Sequence, residues 1–152
     1  MSKKTRTYIT FILISLAVGG LSALLTQNSM DVFEVINKPP LSPPAIVFPT
    51  VWTILFILMG VGAARVYLRE PDSDAIRVFG INLFVNFFWS IIFFNMRAFC
   101  FAFVWLVLLI AIVALMTLKF WRIDKLAGLL QSPYLIWLLF AGYLNLYICL
   151  AN

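Results

Sequence analysis

The residues best suited to binding chemistry are a few polar side chains inside long apolar stretches. Asn82, Asn86 and Ser90 recur at every fourth position, which places two amides and a hydroxyl on one stripe of a helix. Trp89 and Phe93 flank that stripe. Because an amide in hydrocarbon needs a partner, two interpretations stay open: a hydrogen bond to a neighbouring helix, or a ligand. For any one asparagine taken alone, the first is favoured.

A second set of such residues lies near the end of the chain, in the run SPYLIWLLFAGYLNLY. Trp137, Ala141 and Asn145 share a helical face, and Tyr134 lies one turn earlier. Small residues beside large rings can form a pocket for a flat apolar ligand. Aromatic residues of membrane helices are more often packing residues or interfacial anchors, and spacing alone favours that interpretation.

The chain lacks several groups that other chemistries require. It contains no histidine, which excludes Ser–His and Cys–His catalysis and removes the commonest ligand of metals and haem. No carboxylate or amine lies inside an apolar stretch, whereas ion-coupled transporters and proton pumps usually need one near the membrane midplane. We therefore predict no catalytic residue, no metal site and no conventional pump.

The elements that position these residues are five uncharged stretches. Apolar residues make up 64% of the 152 residues, and each stretch reaches about 20 residues, enough to cross roughly 30 Å of hydrocarbon as a helix. The predicted spans are residues 8–27, 46–64, 78–96, 98–118 and 126–150. Backbone groups in lipid need internal partners. We therefore predict an all-α membrane protein, a five-helix bundle that forms one domain over residues 1–152.

The basic residues predict how the bundle is oriented. Nine lie beside one set of span ends, and the other set has two, Lys38 and Arg97. The nine are Lys3, Lys4, Arg6, Arg65, Arg69, Arg77, Lys119, Arg122 and Lys125. By the positive-inside rule, the N-terminus faces the cytoplasm and the C-terminus lies outside, as in a multi-pass protein of a bacterial inner membrane. Because these residues flank spans and form no single patch, nucleic acid is not an expected partner.

The segment between the first two spans is rich in proline. Proline fixes φ and removes a backbone donor, so residues 28–45 are predicted to be a stiff, non-helical connection. The segment leads directly to Trp52, at the start of the second span. We interpret it as a lid over a pocket mouth, shaped by Pro39, Pro40, Pro43 and Pro44.

Two cysteines, Cys100 and Cys149, lie towards the outer face in this topology. They either form a disulfide or serve as separate small packing residues. The second interpretation is favoured, because isolated cysteines in apolar surroundings usually pack as small hydrophobic residues.

Small residues mark close helix contacts in the first two spans. Ser15, Gly19 and Ala23 form one stretch, and Gly60 with Ala64 forms another. Such spacing is typical of closely packed membrane helices. We expect one stretch to pack within the chain and the other to contact a second copy in a homodimer.

Three motifs in this order, KPPLSPPAIVFPTVW, NLFVNFFWS and PYLIWLLFAGYLN, resemble the TspO/translocator-protein family. The resemblance covers nearly the whole chain. It implies a five-helix bundle, commonly dimeric, whose cavity is closed by the loop between spans one and two and binds porphyrins such as protoporphyrin IX or synthetic isoquinolines and benzodiazepines. The pocket positions that match the family motifs are Trp52, Asn82, Asn86, Trp89, Trp137, Phe140 and Ala141.

The chain departs from the family pattern in the lid, where Leu41 and Ile46 stand in place of frequent tryptophans. We expect this lid to close by apolar packing. Without histidine, a tetrapyrrole would be held by ring stacking, which favours metal-free porphyrin over haem as the ligand. The C-terminus lacks the basic residue that follows tyrosine in the steroid-linked motif of animal members, which disfavours cholesterol.

The leading hypothesis is therefore a membrane receptor or carrier for porphyrins and similar flat apolar molecules, linked to tetrapyrrole homeostasis or stress signalling. One alternative is an enzyme that degrades porphyrins in the light. The other is a regulatory membrane protein that needs a partner and no ligand.

Overall fold

The structure is a computed structural model that describes residues 1–152, and it consists of helices and their connections. The helices are α1 (Lys3–Thr26), α2 (Val32–Val35), α3 (Val47–Arg69), α4 (Asp74–Ser90), α5 (Phe99–Ile123) and α6 (Lys125–Ala151). A 3₁₀ turn, Gln27–Ser29, follows α1, and a π-helical turn, Ile91–Asn95, extends α4. Five of these helices, all except α2, are long and apolar enough to span a membrane. The predicted all-α, five-helix fold class is confirmed.

The helices extend beyond the predicted spans at one end of the bundle. α1 begins at Lys3 and α4 at Asp74, because the side chains of Ser2 and Ser73 accept hydrogen bonds from backbone N–H groups of the first turn. α3 likewise continues to Arg69. Charged residues end a membrane span without ending a helix. We call this end of the bundle, which contains Lys3, Arg69 and the α5–α6 turn, the basic end.

The helices make their closest backbone contacts from the middle of the bundle towards the basic end. A Cβ atom added at Gly60 of α3 would lie 2.5 Å from the Cα atom of Ile12 in α1. One added at Gly128 of α6 would lie 2.7 Å from the Cα atom of Trp121 in α5. Only glycine permits such contacts, which let helix backbones approach closely in a membrane.

The two small-residue stretches both pack within the chain. Gly60 lies against α1, and a Cβ atom added at Gly19 of α1 would meet the ring of Phe56 in α3 at 2.5 Å. Both glycines therefore pack within the chain, and the expected contact with a second copy stays a prediction.

A buried carboxylate joins three helices at the basic end. Asp124, between α5 and α6, lies 3.0 Å from Nε of Arg65 and 3.2 Å from Nε of Arg69, both in α3. Its side chain also accepts hydrogen bonds from the N–H groups of Leu126 and Ala127, capping α6. Burial by itself raises the pKa of Asp124, but the hydrogen bonds and charges around it outweigh burial and hold the pKa below its usual value.

A disulfide joins α5 and α6 at the opposite end of the bundle. Cys100 and Cys149 are bonded, with their Cα atoms 4.8 Å apart, so the favoured expectation of two separate packing residues is wrong. The two helices run antiparallel from the tight turn at Asp124. Residues at nearly equal distances along the chain from that turn must therefore meet. We call this end, with the disulfide and residues 27–46, the proline end.

The segment of residues 27–46 crosses the proline end and is fastened to the last residue of the chain. Asn37 N–H donates to Oδ1 of Asn152 over 3.0 Å, and Nδ2 of Asn152 donates to the carbonyl of Asn37 over 3.1 Å. The ring of Phe33 in α2 packs edge-on against Phe48 at the start of α3, with centroids 5.2 Å apart. The connection is therefore held both by backbone hydrogen bonds and by an aromatic contact.

Candidate ligand-binding cavity

A cavity of about 360 Å³ lies inside the proline end of the bundle. Its walls come from α1, α3, α4 and α6, and side chains of the connecting segment contribute to its boundary. Most of the lining residues are apolar or aromatic. The arrangement suits a molecule that is largely apolar.

Three tryptophans from three different helices face this cavity: Trp52 of α3, Trp89 of α4 and Trp137 of α6. The Trp89 ring stacks on Phe93, with centroids 5.2 Å apart and planes 27° from parallel. The Trp137 ring meets Phe48 edge-on at 5.8 Å. Large aromatic surfaces held in this way favour flat partners that can pack against their faces.

Polar groups fix one of these rings in place. Nε1 of Trp89 donates to Oδ1 of Asn145 over 3.1 Å, and Nδ2 of Asn145 donates to the carbonyl of Phe99 over 2.9 Å. Asn145 is buried and uses both ends of its amide for these bonds. By contrast, Nε1 of Trp137 is enclosed and has no hydrogen-bond partner.

Comparison with known proteins agrees with this architecture. The TspO/MBR family model matches residues 11–151. The chain belongs to the TspO/MBR family. It is 37% identical to the tryptophan-rich protein TspO of Chlorobaculum tepidum, in an alignment that covers 100% of this chain and 99% of that relative. It is 33% identical to the tryptophan-rich sensory protein of Cereibacter sphaeroides (91% of this chain, 86% of the relative) and 30% identical to the translocator protein of Bos taurus (74% and 70%).

This TspO/MBR-family chain is accordingly a multi-pass integral membrane protein. Five of the seven residues predicted to bind a ligand line its cavity. They are Trp52, Asn86, Trp89, Trp137 and Ala141. The cavity is also lined by Ser90, on the same stripe as Asn86, and by Leu144 and Asn145 of α6. Most of the polar and aromatic candidates therefore lie together around one cavity.

Asn82 does not line the cavity, contrary to the prediction. It is fully buried, its Oδ1 accepts a hydrogen bond from the Tyr134 hydroxyl over 2.6 Å, and its Nδ2 donates to Sδ of Met59 over 3.6 Å. A partner on another helix satisfies this amide. For Asn82, the interhelical interpretation is therefore the one that the structure shows.

Phe140 also lies outside the cavity. It faces a separate groove on the surface of the bundle, together with Ile136, Pro133 and Ile54. Phe140 immediately precedes Ala141, and neighbouring residues of an α-helix point about 100° apart. The Phe140 ring therefore points away from Ala141, towards the surface groove.

The four prolines of the predicted lid do not line the cavity either. Pro39, Pro40, Pro43 and Pro44 contribute no lining side chain, whereas Met30, Phe33 and Ala45 of the same segment do. The prolines belong to the non-helical path between α2 and α3. The connecting segment borders the cavity through its apolar side chains, and its role as a lid stays a prediction.

Other lining residues were not found from the sequence. Ser22 and Thr26 of α1 face the cavity on the same side as Gly19 and Ala23. Their spacing of three or four residues from the small-residue stretch is the signal that could have identified them. The contribution of Met30 and Phe33 follows only from the path of the chain after α1.

Proposed function

We propose that this protein is a receptor or carrier that binds porphyrins and similar flat apolar molecules in the cavity of the proline end. The observation that carries the proposal is the lining of one cavity by Trp52, Trp89 and Trp137, each from a different helix. The volume, about 360 Å³, falls within the roughly 300–1,000 Å³ typical of small-molecule sites.

Ring stacking and apolar burial would supply the affinity. Trp89 is already oriented by its hydrogen bond to Asn145, so its ring loses little further freedom when a ligand binds. Because the chain has no histidine, the common axial ligand of haem iron is missing, which supports metal-free porphyrin over haem as the ligand.

We further propose that the basic end faces the cytoplasm of a bacterial cell. Nine of the eleven Lys and Arg residues flank the helix ends on that side, the distribution that the positive-inside rule associates with the cytoplasm. The cavity would then lie near the outer face of the inner membrane. A ligand would enter or leave beside the connecting segment.

Titration of the purified protein with protoporphyrin IX, followed by tryptophan fluorescence, tests the proposed function. Saturable quenching is expected for the natural sequence, and Trp137→Ala should weaken binding about tenfold, through loss of stacking and buried area. Trp121→Ala is the matched control, because Trp121 lies at the basic end and is 42% exposed. Quenching that is unsaturable, or equal affinities in the two variants, would remove the proposal. A new bilin-like absorbance band under illumination would instead favour the porphyrin-degrading enzyme.

A further inference from the structure

A relay of hydrogen bonds lies behind the cavity and ends on one of its lining residues. Nδ2 of Asn86 donates to the hydroxyl of Tyr134 over 2.6 Å, and that hydroxyl donates to Oδ1 of Asn82 over 2.6 Å. Nδ2 of Asn82 then faces Sδ of Met59 at 3.6 Å. Tyr134, Asn82 and Met59 are all fully buried and have no contact with solvent.

The sulfur at the far end sets the direction of the whole relay. A thioether can accept a hydrogen bond but cannot donate one, so the amide group of Asn82 that faces Met59 must be its NH₂. Its oxygen is then the group that faces Tyr134. The Tyr134 hydroxyl must then donate its proton to Asn82. Because a tyrosine hydroxyl has only one proton, Tyr134 can only accept a hydrogen bond from Asn86.

Asn86 is therefore left with a carbonyl oxygen of fixed orientation at the cavity. Asn86 lines the cavity, and no group of the chain donates to its Oδ1. This oxygen is also not one of the fully enclosed side-chain atoms that lack a partner. Its natural partner is a donor that arrives with a ligand.

The other amide and the hydroxyls of the cavity wall do not impose such a requirement. Asn145 uses both ends of its amide within the chain, and the Thr26 hydroxyl donates to the carbonyl of Ser22 over 2.8 Å. The hydroxyls of Ser22 and Ser90 can rotate to donate or to accept. Among the side chains of the wall, Asn86 alone presents a free acceptor whose polarity is set in advance, whereas the indole N–H groups of Trp52 and Trp137 can only donate.

We propose that Asn86 makes the cavity selective for flat apolar heterocycles that present an N–H or O–H donor at their edge. The proposal rests on the proposed function in taking the cavity as a ligand site, but it does not depend on porphyrin as the occupant. In a closed tetrapyrrole the inner N–H groups point to the ring centre. Among tetrapyrroles, the selection therefore favours open-chain molecules, whose pyrrole N–H groups are accessible.

Two probes of nearly equal shape test the selectivity. Carbazole carries a ring N–H, and dibenzofuran has an ether oxygen in the same place. Their affinities are measured by calorimetry with the purified protein in detergent, after subtraction of the heat of partition into empty micelles. Carbazole should bind roughly two- to tenfold more tightly, the effect of one net hydrogen bond. Equal affinities, tighter binding of dibenzofuran, or no binding of either probe would overturn the inference.

Variants of the relay separate this role from a general structural one. Tyr134→Phe frees the Asn86 amide to rotate and present its NH₂ to the cavity. Dibenzofuran should then bind this variant more tightly than it binds the natural sequence. The ratio of carbazole affinity to dibenzofuran affinity should fall towards one. Mere loosening of the cavity would weaken both probes. Tyr143→Phe is the control and should keep the full preference, because Tyr143 is 41% exposed and does not line the cavity.

Met59→Leu provides a variant that preserves side-chain volume, a change that cores tolerate well. It removes the sulfur that orients Asn82 and should reduce the preference while the protein stays folded. Full preference in both Tyr134→Phe and Met59→Leu would show that the relay does not set the polarity of Asn86. Failure of protoporphyrin IX to bind, with the carbazole preference intact, would count against the proposed function alone.

Discussion

The two ends of the bundle are built from the same helices but are held together in different ways. From the middle of the bundle to the basic end, Gly60 and Gly128 bring backbones into contact, and at the basic end itself Asp124 pairs with two arginines. At the proline end, the helices enclose a cavity and are joined by a disulfide and by hydrogen bonds of the connecting segment. Space for a ligand exists where covalent and polar links replace close packing.

This contrast predicts separable effects of substitution. Changes at the basic end should lower stability and leave ligand affinity unaltered, because they lie far from the cavity. Changes in the links of the proline end should alter both, because those links also position the cavity walls.

The largest effect is expected from opening the disulfide. It closes a loop of 49 residues, and such cross-links stabilise proteins by about 2–4 kcal/mol. Reduction should therefore lower the thermal unfolding temperature in detergent and weaken binding of protoporphyrin IX, since Cys149 immediately follows Ile148 of the cavity wall.

A variant with Cys100→Ser and Cys149→Ser serves as the control for reduction. The chain has no free cysteine, so a reductant should leave this variant unchanged. If reduction of the natural sequence altered neither unfolding temperature nor affinity, the disulfide would not be a link that supports the cavity.

The next largest effect is expected at Asp124. Asp124→Ala removes a helix cap worth about 1 kcal/mol and leaves two arginines without their partner, for a loss of about 2–3 kcal/mol after allowance for solvent around the arginines. Asp124→Asn retains the cap and should therefore be about 1 kcal/mol more stable than Asp124→Ala. Asp74→Asn is the control, because its pair with Arg77 is exposed and contributes little.

The same carboxylate makes stability depend on pH. Because the folded-state pKa of Asp124 lies below its usual value, its contribution is complete above the unfolded-state pKa and is lost as the pH falls through the folded-state pKa. Unfolding curves at decreasing pH should show a smaller acid loss for Asp124→Asn than for the natural sequence. If both proteins lost the same stability on acidification, the loss would belong to other groups. If Asp124→Asn altered the affinity for protoporphyrin IX, the contrast between the two ends would not hold.

The smallest of the three effects is expected for Gly60→Ala. The added methyl group would lie 2.5 Å from a backbone atom of Ile12, and overpacking of this kind costs about 1–3 kcal/mol. Gly20→Ala in α1 is the matched control, because nothing lies within 4 Å of the added atom. It should be neutral or stabilising by up to about 1 kcal/mol, from higher helix propensity. Unfolding temperatures that fall equally in both variants would argue against a special contact at Gly60.

Much of the fold and of the cavity could be predicted from the sequence because both follow from local regularities. Span length identified the five membrane helices, and the four-residue spacing of Asn86 and Ser90 placed them on one face. Asn82 shares that spacing and yet does not line the cavity. Spacing fixes a direction around the helix axis, but depth along the axis decides whether a side chain meets the cavity or the packed interior.

By itself, the sequence determined the class of the protein, the number of its membrane helices and the aromatic character of its binding candidates, because hydropathy and helical period are properties of consecutive residues. Only the tertiary structure decided that Cys100 and Cys149 pair, that Met30 and Phe33 border the cavity, and that Met59 orients Asn86 through two other side chains. Each of these depends on contacts between residues far apart in the chain. Such contacts are set by how the helices pack, and no local pattern records them.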